Sequence, residues 1–304
     1  MRKVPRYRGI GGASRAIRKR AGKDALGIMT GEVVPLGKET PVMDALRSCP
    51  LEGNPHRDGK LHVSDLVGKC IRKIALSSRF NLPMPSDVLD DSLSITFAMG
   101  RLLHDHVRNR LRSGKPESVY GRWACMCGKT VSDPDIYAEV AHMECISCGQ
   151  PLDRYVEVEL PYAPANLTGS PDILLYQARQ KALHPVEIKS IAHDAWRTIA
   201  RPLPDHVIQV CFYWWLLREN GYSITDSVSI LYVSKGYVFG TPYKEFLVDP
   251  LTYEHRVVEL LEEGVALCDS LEGGPLPPRV MCGTRHGPDA KKCHVASLCF
   301  DEGI

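Results

Sequence analysis

Two acidic residues sit inside apolar, strand-forming runs: Asp172 in "GSPDILL" and Glu187 in "PVEIKS". A strand position facing a core is normally aliphatic, and a buried carboxylate is expensive unless it is paired or binds metal. The pair therefore constrains the fold. If the two strands are neighbours, both carboxylates converge at one end of a sheet. Glu187 and Lys189 are two apart and share a face, while Ile188 points the other way. Two carboxylates and an ammonium are the parts for metal-assisted hydrolysis. The acids hold Mg²⁺ or Mn²⁺, and the lysine orients or helps deprotonate a water, or stabilises developing charge. The same short pattern also occurs as a surface ion pair at a strand end, so the flanking elements have to decide.

A helix is expected over 63–80, with Ser64 as its N-cap, and another over 92–113. The second carries "GRLLHDH", in which Gly100 and His104 are four apart and share a face. The glycine would let backbone approach closely, and His104 offers an imidazole to the same metal. From 154 the pattern turns strand-like, in "RYVEVELPY", "NLTGSPDILLYQ" and "LHPVEIKSI", which reads as a meander. Glu159 in the first of these is a further acid near the site, or else an exposed strand residue. A helix over 204–221 follows, with Gln209 and Tyr213 again four apart among apolar neighbours. Strands over 227–235 and 245–249 and a long helix over 252–271 complete the pattern. The order implies an α/β or α+β sheet between helices.

Eleven cysteines in 304 residues, read in a reducing compartment, point to metal rather than disulfides. Cys125, Cys127, Cys145 and Cys148 form two close pairs around a loop, the pattern of a zinc ribbon with four thiolates closing a structural site. Just before them, "YGRW" offers Arg122 and Trp123, compatible with stacking on a base or with a core tryptophan. Cys282, Cys293 and Cys299 form a second group near the C-terminus, where His294 offers a further zinc ligand. Cys49, Cys70, Cys211 and Cys268 are scattered. Residues 1–23 hold nine Arg or Lys and no acid. That composition suits a flexible arm, and nucleic acid is the commonest partner of such arms. No apolar run approaches the roughly 20 residues needed to span a bilayer, and no secretory signal opens the chain. A soluble, cytoplasmic protein is the expectation, in a host cytoplasm if phage-encoded.

Helix with His104, strand with Pro171-Asp172, strand with Glu187-Ile188-Lys189, helix with Gln209 and Tyr213: this order resembles the PD-(D/E)XK nuclease superfamily, specifically its RecB-type exonuclease branch, over roughly residues 60–300. The resemblance implies a restriction-endonuclease-like α/β core with a mixed central sheet flanked by helices. It implies a divalent ion held by His104, Asp172, Glu187 and the carbonyl of Ile188. Lys189 would serve the nucleophilic water, and Gln209 and Tyr213 would shape the site and contact DNA. The CRISPR-associated and AddB-type nucleases of this branch also hold a [4Fe–4S] cluster on one cysteine before the core and three after it. Here Cys70, in "VSDLVGKCIRK", and Cys282, Cys293 and Cys299 fill those places. The ten residues between Cys282 and Cys293 depart from the usual two. By chemistry alone, four thiolates suit an iron–sulfur cluster or zinc.

The expected organisation is a basic, largely irregular arm (1–60), a helical segment with Cys70 and His104 (61–120), a zinc-ribbon insert (121–152), a nuclease core (153–272) and a cysteine-rich cluster-binding tail (273–304). The expected function is a metal-dependent DNA exonuclease acting on single strands or duplex ends. The resemblance places it in recombination, repair, replication or CRISPR adaptation, with proteins of those processes as partners. A structure-specific endonuclease of the same superfamily and a non-catalytic DNA-binding or assembly protein are the alternatives.

Overall fold

The computed structural model describes residues 60–82, 91–115, 118–131, 144–152 and 154–301, all within the unit Leu51–Ile304. The basic arm, apart from Lys60, and Cys49 lie outside the described residues. β1 (Leu61–His62) runs into a single turn, α1 (Val63–Leu66), and then α2 (Ile71–Arg79). The single helix expected over 63–80 is thus two, and their N-caps are His62 and Cys70 rather than Ser64. Gly68 causes the break. Its φ is +68°, and a Cβ there would lie 2.6 Å from Asp205 Oδ2, so only glycine fits. The consequence is that Cys70 sits at the head of a helix.

α3 (Asp91–Gly114) matches its expected span. Strands follow: β2 (Val119–Tyr120), β3 (Arg122–Ala124), β4 (Thr130–Val131), β5 (Arg154–Val156), β6 (Leu160–Tyr162), β7 (Leu167–Gly169), β8 (Ile173–Gln177) and β9 (Ala182–Ile191). The meander of three long strands is corrected here to five, shared among three sheets. One break falls at Ser170-Pro171-Asp172, where proline has no N–H to give a ladder. The other, at 157–159, turns acids toward the site. Then come α4 (His193–Thr198), α5 (Pro204–Glu219), β10 (Val228–Ser234), β11 (Tyr243–Val248), α6 (Glu254–Leu271), α7 (Pro288–Lys291) and α8 (Ala296–Phe300).

The central sheet has the order β11-β10-β9-β8-β2. β9 and β10 run parallel and the other neighbours antiparallel, so the sheet is mixed. Alternation sets its two faces. Ile173, Val186, Ile188 and Val233 face α3 through Leu103, Val107 and Leu111. Leu174, Ile230 and Tyr232 join the larger core with α5 and α6. α5 is buried almost all round, as its continuous apolar run requires. Pro204 opens it at N1, and Gly221, at φ +82°, follows its Asn220 cap. A small sheet, β1-β7-β6, lies against α5. There Gly169 has no room for a side chain, since a Cβ would meet Val63, Leu216 and Tyr213 within 3.0 Å. The third sheet, β4-β3-β5, carries the cysteine insert. No described helix is long and apolar enough to cross a membrane.

Candidate active site

The site forms where the β8–β9 ladder begins. Its first pair is Ile173 with Val186, so β9 runs on past Glu187 without β8 beside it. The N–H of Ile188 on that open edge finds another acceptor: Asp172 Oδ2, at 2.7 Å. N–H and C=O of one strand residue point to the same side, so the Ile188 carbonyl faces the same edge. Asp172 Oδ1 meets His104 Nδ1 at 3.0 Å and Arg108 Nη2 at 3.3 Å. Arg108 Nε also donates to the Asp172 carbonyl at 3.0 Å. His104 and Arg108 are one turn apart on α3, which explains how both reach one residue.

Glu187 and Lys189 lie on the opposite face of β9, toward α5. Lys189 Nζ is 2.6 Å from Glu187 Oε1 and donates to Gln209 Oε1 at 2.8 Å. Gln209 Nε2 in turn donates to Tyr213 Oη at 2.8 Å. The i, i+4 spacing on α5 makes this relay. Among the expected residues, Asp172, Glu187, Gln209 and Tyr213 line one cavity of about 450 Å³. His104 and Lys189 are bonded directly to its lining.

Charge is concentrated here. Burial would raise Asp172, but the hydrogen bond and charge of His104, with Arg108 and Lys189, outweigh it and hold the carboxyl below its usual range. Glu187, 3 % exposed, is pushed up to about 8, first by burial and then by Asp172. Burial opposes the charge of Lys189, but Glu187 more than compensates, so it stays an ammonium.

Two residues of the site escaped the sequence reading. Arg108 ion-pairs with Glu157 as well as Asp172, and its guanidinium lies 5.5 Å from the Tyr155 ring centroid. Glu157 lines the cavity and is raised to about 7 by burial and by Asp172, against Arg108. The signal for Arg108 was its place one turn beyond His104. Glu159, the acid singled out instead, also lines the cavity, where it pairs with Lys60 at 2.6 Å. Gly100 is not explained by close approach: a Cβ there would meet Ser190 Oγ at an ordinary 3.5 Å. Trp123 is 2 % exposed and packs edge-on to Tyr155, so it belongs to the core and offers no surface to a base.

Asp172 and Glu187 line the cavity, and the His104 imidazole and Ile188 adjoin Asp172; carboxylates, a carbonyl and an imidazole suit a hard divalent ion. The two crowded carboxylates, with Glu187 forced toward its protonated form, are an arrangement that a cation relieves. Among the described residues His104, Asp172 and Glu187 do not gather within 4.8 Å of one another.

The insert holds a tighter centre. The sulfurs of Cys125, Cys127, Cys145 and Cys148 all lie within 4.8 Å of one another. Cys125 and Cys148 are 3.3 Å apart, and Cys127 and Cys145 are 3.6 Å apart. A tetrahedral zinc with Zn–S near ~2.3 Å spaces its thiolates about 3.8 Å apart, so the set fits one zinc ion. Each pair ends in a glycine with positive φ, Gly128 and Gly149, which bends the backbone back around the sulfurs. The Ser147 N–H favours the Cys145 thiolate and pulls its pKa to about 7. For Cys148 the Gln150 N–H acts the same way, but the neighbouring thiols outweigh it and push it up to about 12.

Cys70, Cys282, Cys293 and Cys299 also converge, on a small cavity shared with Lys73 and Arg279. α8 packs on α2 through Cys299, Val295 and Leu76. Burial raises the Cys282 thiol, and the charges of Cys70, Cys293 and Cys299 add to it. Among the described residues these four form no group of three with sulfurs within 4.8 Å, so they are spread wider than one zinc requires. His294 does not join them. Its Nε2 is 2.8 Å from Ser77 Oγ, and it is absent from the cavity wall.

No family model matches the chain, and no curated protein matches it. Among solved structures it is similar to SSO0001, at 17% identity over 85% of this chain and 91% of that one, with a TM-score of 0.39. It is also similar to LHK-Exo, an alkaline exonuclease from Laribacter hongkongensis, at 15% identity over 71% and 90% of the two chains, with a TM-score of 0.39. For LHK-Exo in complex with dAMP the values are 13%, 71% and 89%, with a TM-score of 0.41.

Proposed function

We propose that this chain is a divalent-ion-dependent DNA nuclease of the PD-(D/E)XK type and RecB-like branch, acting as an exonuclease on single strands or duplex ends. One observation carries the reading: Asp172 and the Glu187-Ile188-Lys189 strand meet at one cavity, with His104 on Asp172 and Gln209 on Lys189. Bound Mg²⁺ or Mn²⁺ would polarise the phosphodiester and lower the pKa of an attacking water. Asp172, Glu187, His104 and the Ile188 carbonyl would hold it. Lys189, an ammonium bonded to Glu187 and Gln209, acts as a hydrogen-bond donor that orients the water or takes up phosphoryl charge. Gln209 fixes that ammonium, and Tyr213 fixes Gln209. Arg108 holds Asp172 ionised and aimed at the open edge.

The wide spacing of Cys70, Cys282, Cys293 and Cys299 supports a [4Fe–4S] cluster over zinc in the tail. The cluster would tie α2 to the chain end. The compact set in the insert supports a structural zinc. Recombination, repair, replication or CRISPR adaptation are settings this activity would serve.

The test is a cleavage assay with Mn²⁺ on end-labelled single-stranded and duplex DNA, beside covalently closed circles. Mononucleotide release from ends with circles left intact is expected. Cutting of closed circles would make it an endonuclease. No cleavage of any substrate, with DNA still bound, would favour the non-catalytic alternative.

A further inference from the structure

Arg122 lines the same cavity as Asp172 and Glu187, but it comes from a different sheet. It pairs across β3–β5 with Val156, and the next pair, Trp123 with Tyr155, faces the other way into the core of the insert. Alternation along β3 thus buries the tryptophan and turns the arginine into the cavity. Its Nε is buried without a hydrogen-bond partner, and the guanidinium has no ion pair or hydrogen bond among the described residues.

Nearby carboxylates do not explain it. Glu157 pairs with Arg108 and Glu159 with Lys60, although both line this cavity with Arg122. Asp172 and Glu187 are likewise taken, by His104 with Arg108 and by Lys189. A half-buried guanidinium left over among satisfied acids is a standing donor fork for an anion from outside, and its planar geometry matches phosphate.

We infer that Arg122 is a substrate-binding residue that holds a backbone phosphate of the DNA strand, next to the phosphate presented to Asp172 and Glu187. The inference rests on the nuclease reading and extends it: the cysteine insert supplies one wall of the substrate cavity. It also gives the insert a role, because the small core of Trp123, Cys125 and Cys145 fixes the strand that carries Arg122.

Single-stranded oligonucleotide binding is measured by fluorescence anisotropy in buffer without added Mg²⁺ or Mn²⁺, so that divalent-ion-dependent hydrolysis does not proceed, across a range of salt. Zinc content and the thermal melt of each variant are checked beside it. Arg122→Gln is expected to raise Kd about tenfold, as loss of a charged hydrogen bond does. It should also flatten the log Kd against log salt slope by about 0.7, the loss of one phosphate contact on a single strand. Arg122→Lys should keep the slope while recovering only part of the affinity. Arg122→Met, which keeps the aliphatic stem, replaces the glutamine variant if that one fails to fold. An unchanged Kd and slope in a folded Arg122 variant overturns the inference. Wild-type protein that neither binds nor, with Mn²⁺, cleaves DNA overturns the nuclease reading on which it rests.

Discussion

The N–H of Ile188 donates a 2.7 Å hydrogen bond to Asp172 Oδ2, so the carboxylate proposed to hold a cation also closes the end of a strand ladder. The two roles can be separated. Asp172→Asn keeps an oxygen for the Ile188 N–H but removes the charge, so it should fold and lose cleavage by about two orders of magnitude or more. Asp172→Ala also leaves that N–H without a partner and takes one ion pair from Arg108, which keeps Glu157, and should lower stability by about 1–3 kcal/mol besides. Thermal melts and Mn²⁺-dependent cleavage, run side by side, read both effects. An Asp172→Asn protein with wild-type activity would remove this residue from the site.

Glu187 makes stability depend on pH in the direction of a raised carboxylate. Its folded value is about 8, well above an ordinary glutamate. The folded state therefore holds this proton more tightly than the unfolded chain. That advantage is whole below an ordinary glutamate's pKa and is lost as pH rises toward 8. In metal-free protein, Glu187→Gln should thus raise the melting temperature at pH 8.5 and change it little at pH 5. Activity should behave oppositely, since the ion needs the carboxylate: wild-type cleavage rises toward pH 8 and the variant is inactive. A variant that melts below wild type at pH 8.5 would show that Glu187 is not strained by burial.

Asp172 and Glu187 were legible because a carboxylate inside an aliphatic strand run is anomalous at the level of sequence. Lys189, Gln209 and Tyr213 followed from spacings of two and four on regular elements. Glu157 was not legible. It lies two residues from Glu159 in one alternating run, and only the break between β5 and β6, which no glycine or proline marks at 157–159, brings it against Arg108. The split of the first helix was hidden in the same way. Gly68 lies inside the expected helix, and it is Asp205, far along the chain, that denies it a side chain. Local pattern gave the elements, and long-range packing decided where they break.

The four sulfurs of the insert leave a measurable consequence. Protein purified without chelator should carry one zinc for this site, and Cys145→Ser should lose it. Cys145 and Trp123 share one small core, so zinc loss should change tryptophan fluorescence. DNA affinity should fall with it, because β3 bears Arg122. The central sheet shares only Val119 and Leu175, on β2 and β8, with that core, and a second, higher melting step should survive. Full zinc content in Cys145→Ser would dismiss the four-thiolate assignment.

Cys70 lies more than two hundred positions before Cys282 in the chain, yet the two share a cavity with Cys293 and Cys299. The tail is docked on α2 by hydrogen bonds of its own. Arg72 donates to the Pro277 carbonyl at 2.7 Å, Ser77 meets His294, and Arg79 donates to the Gly274 carbonyl at 2.6 Å. The Cys282 thiol is raised by burial first and then by its cysteine neighbours, and a cationic cluster would relieve that. Protein purified without oxygen should be brown, with iron and acid-labile sulfide in equal amounts, as a [4Fe–4S] centre requires. Cys70→Ser should bleach it and lower the melting temperature, because a cross-link over so long a loop constrains the unfolded chain. His294→Ala should leave the colour intact, since its ring faces Ser77 and not the sulfurs. Colourless protein holding a second zinc would replace the cluster with a single ion, and would require the four sulfurs to close up from their present spacing.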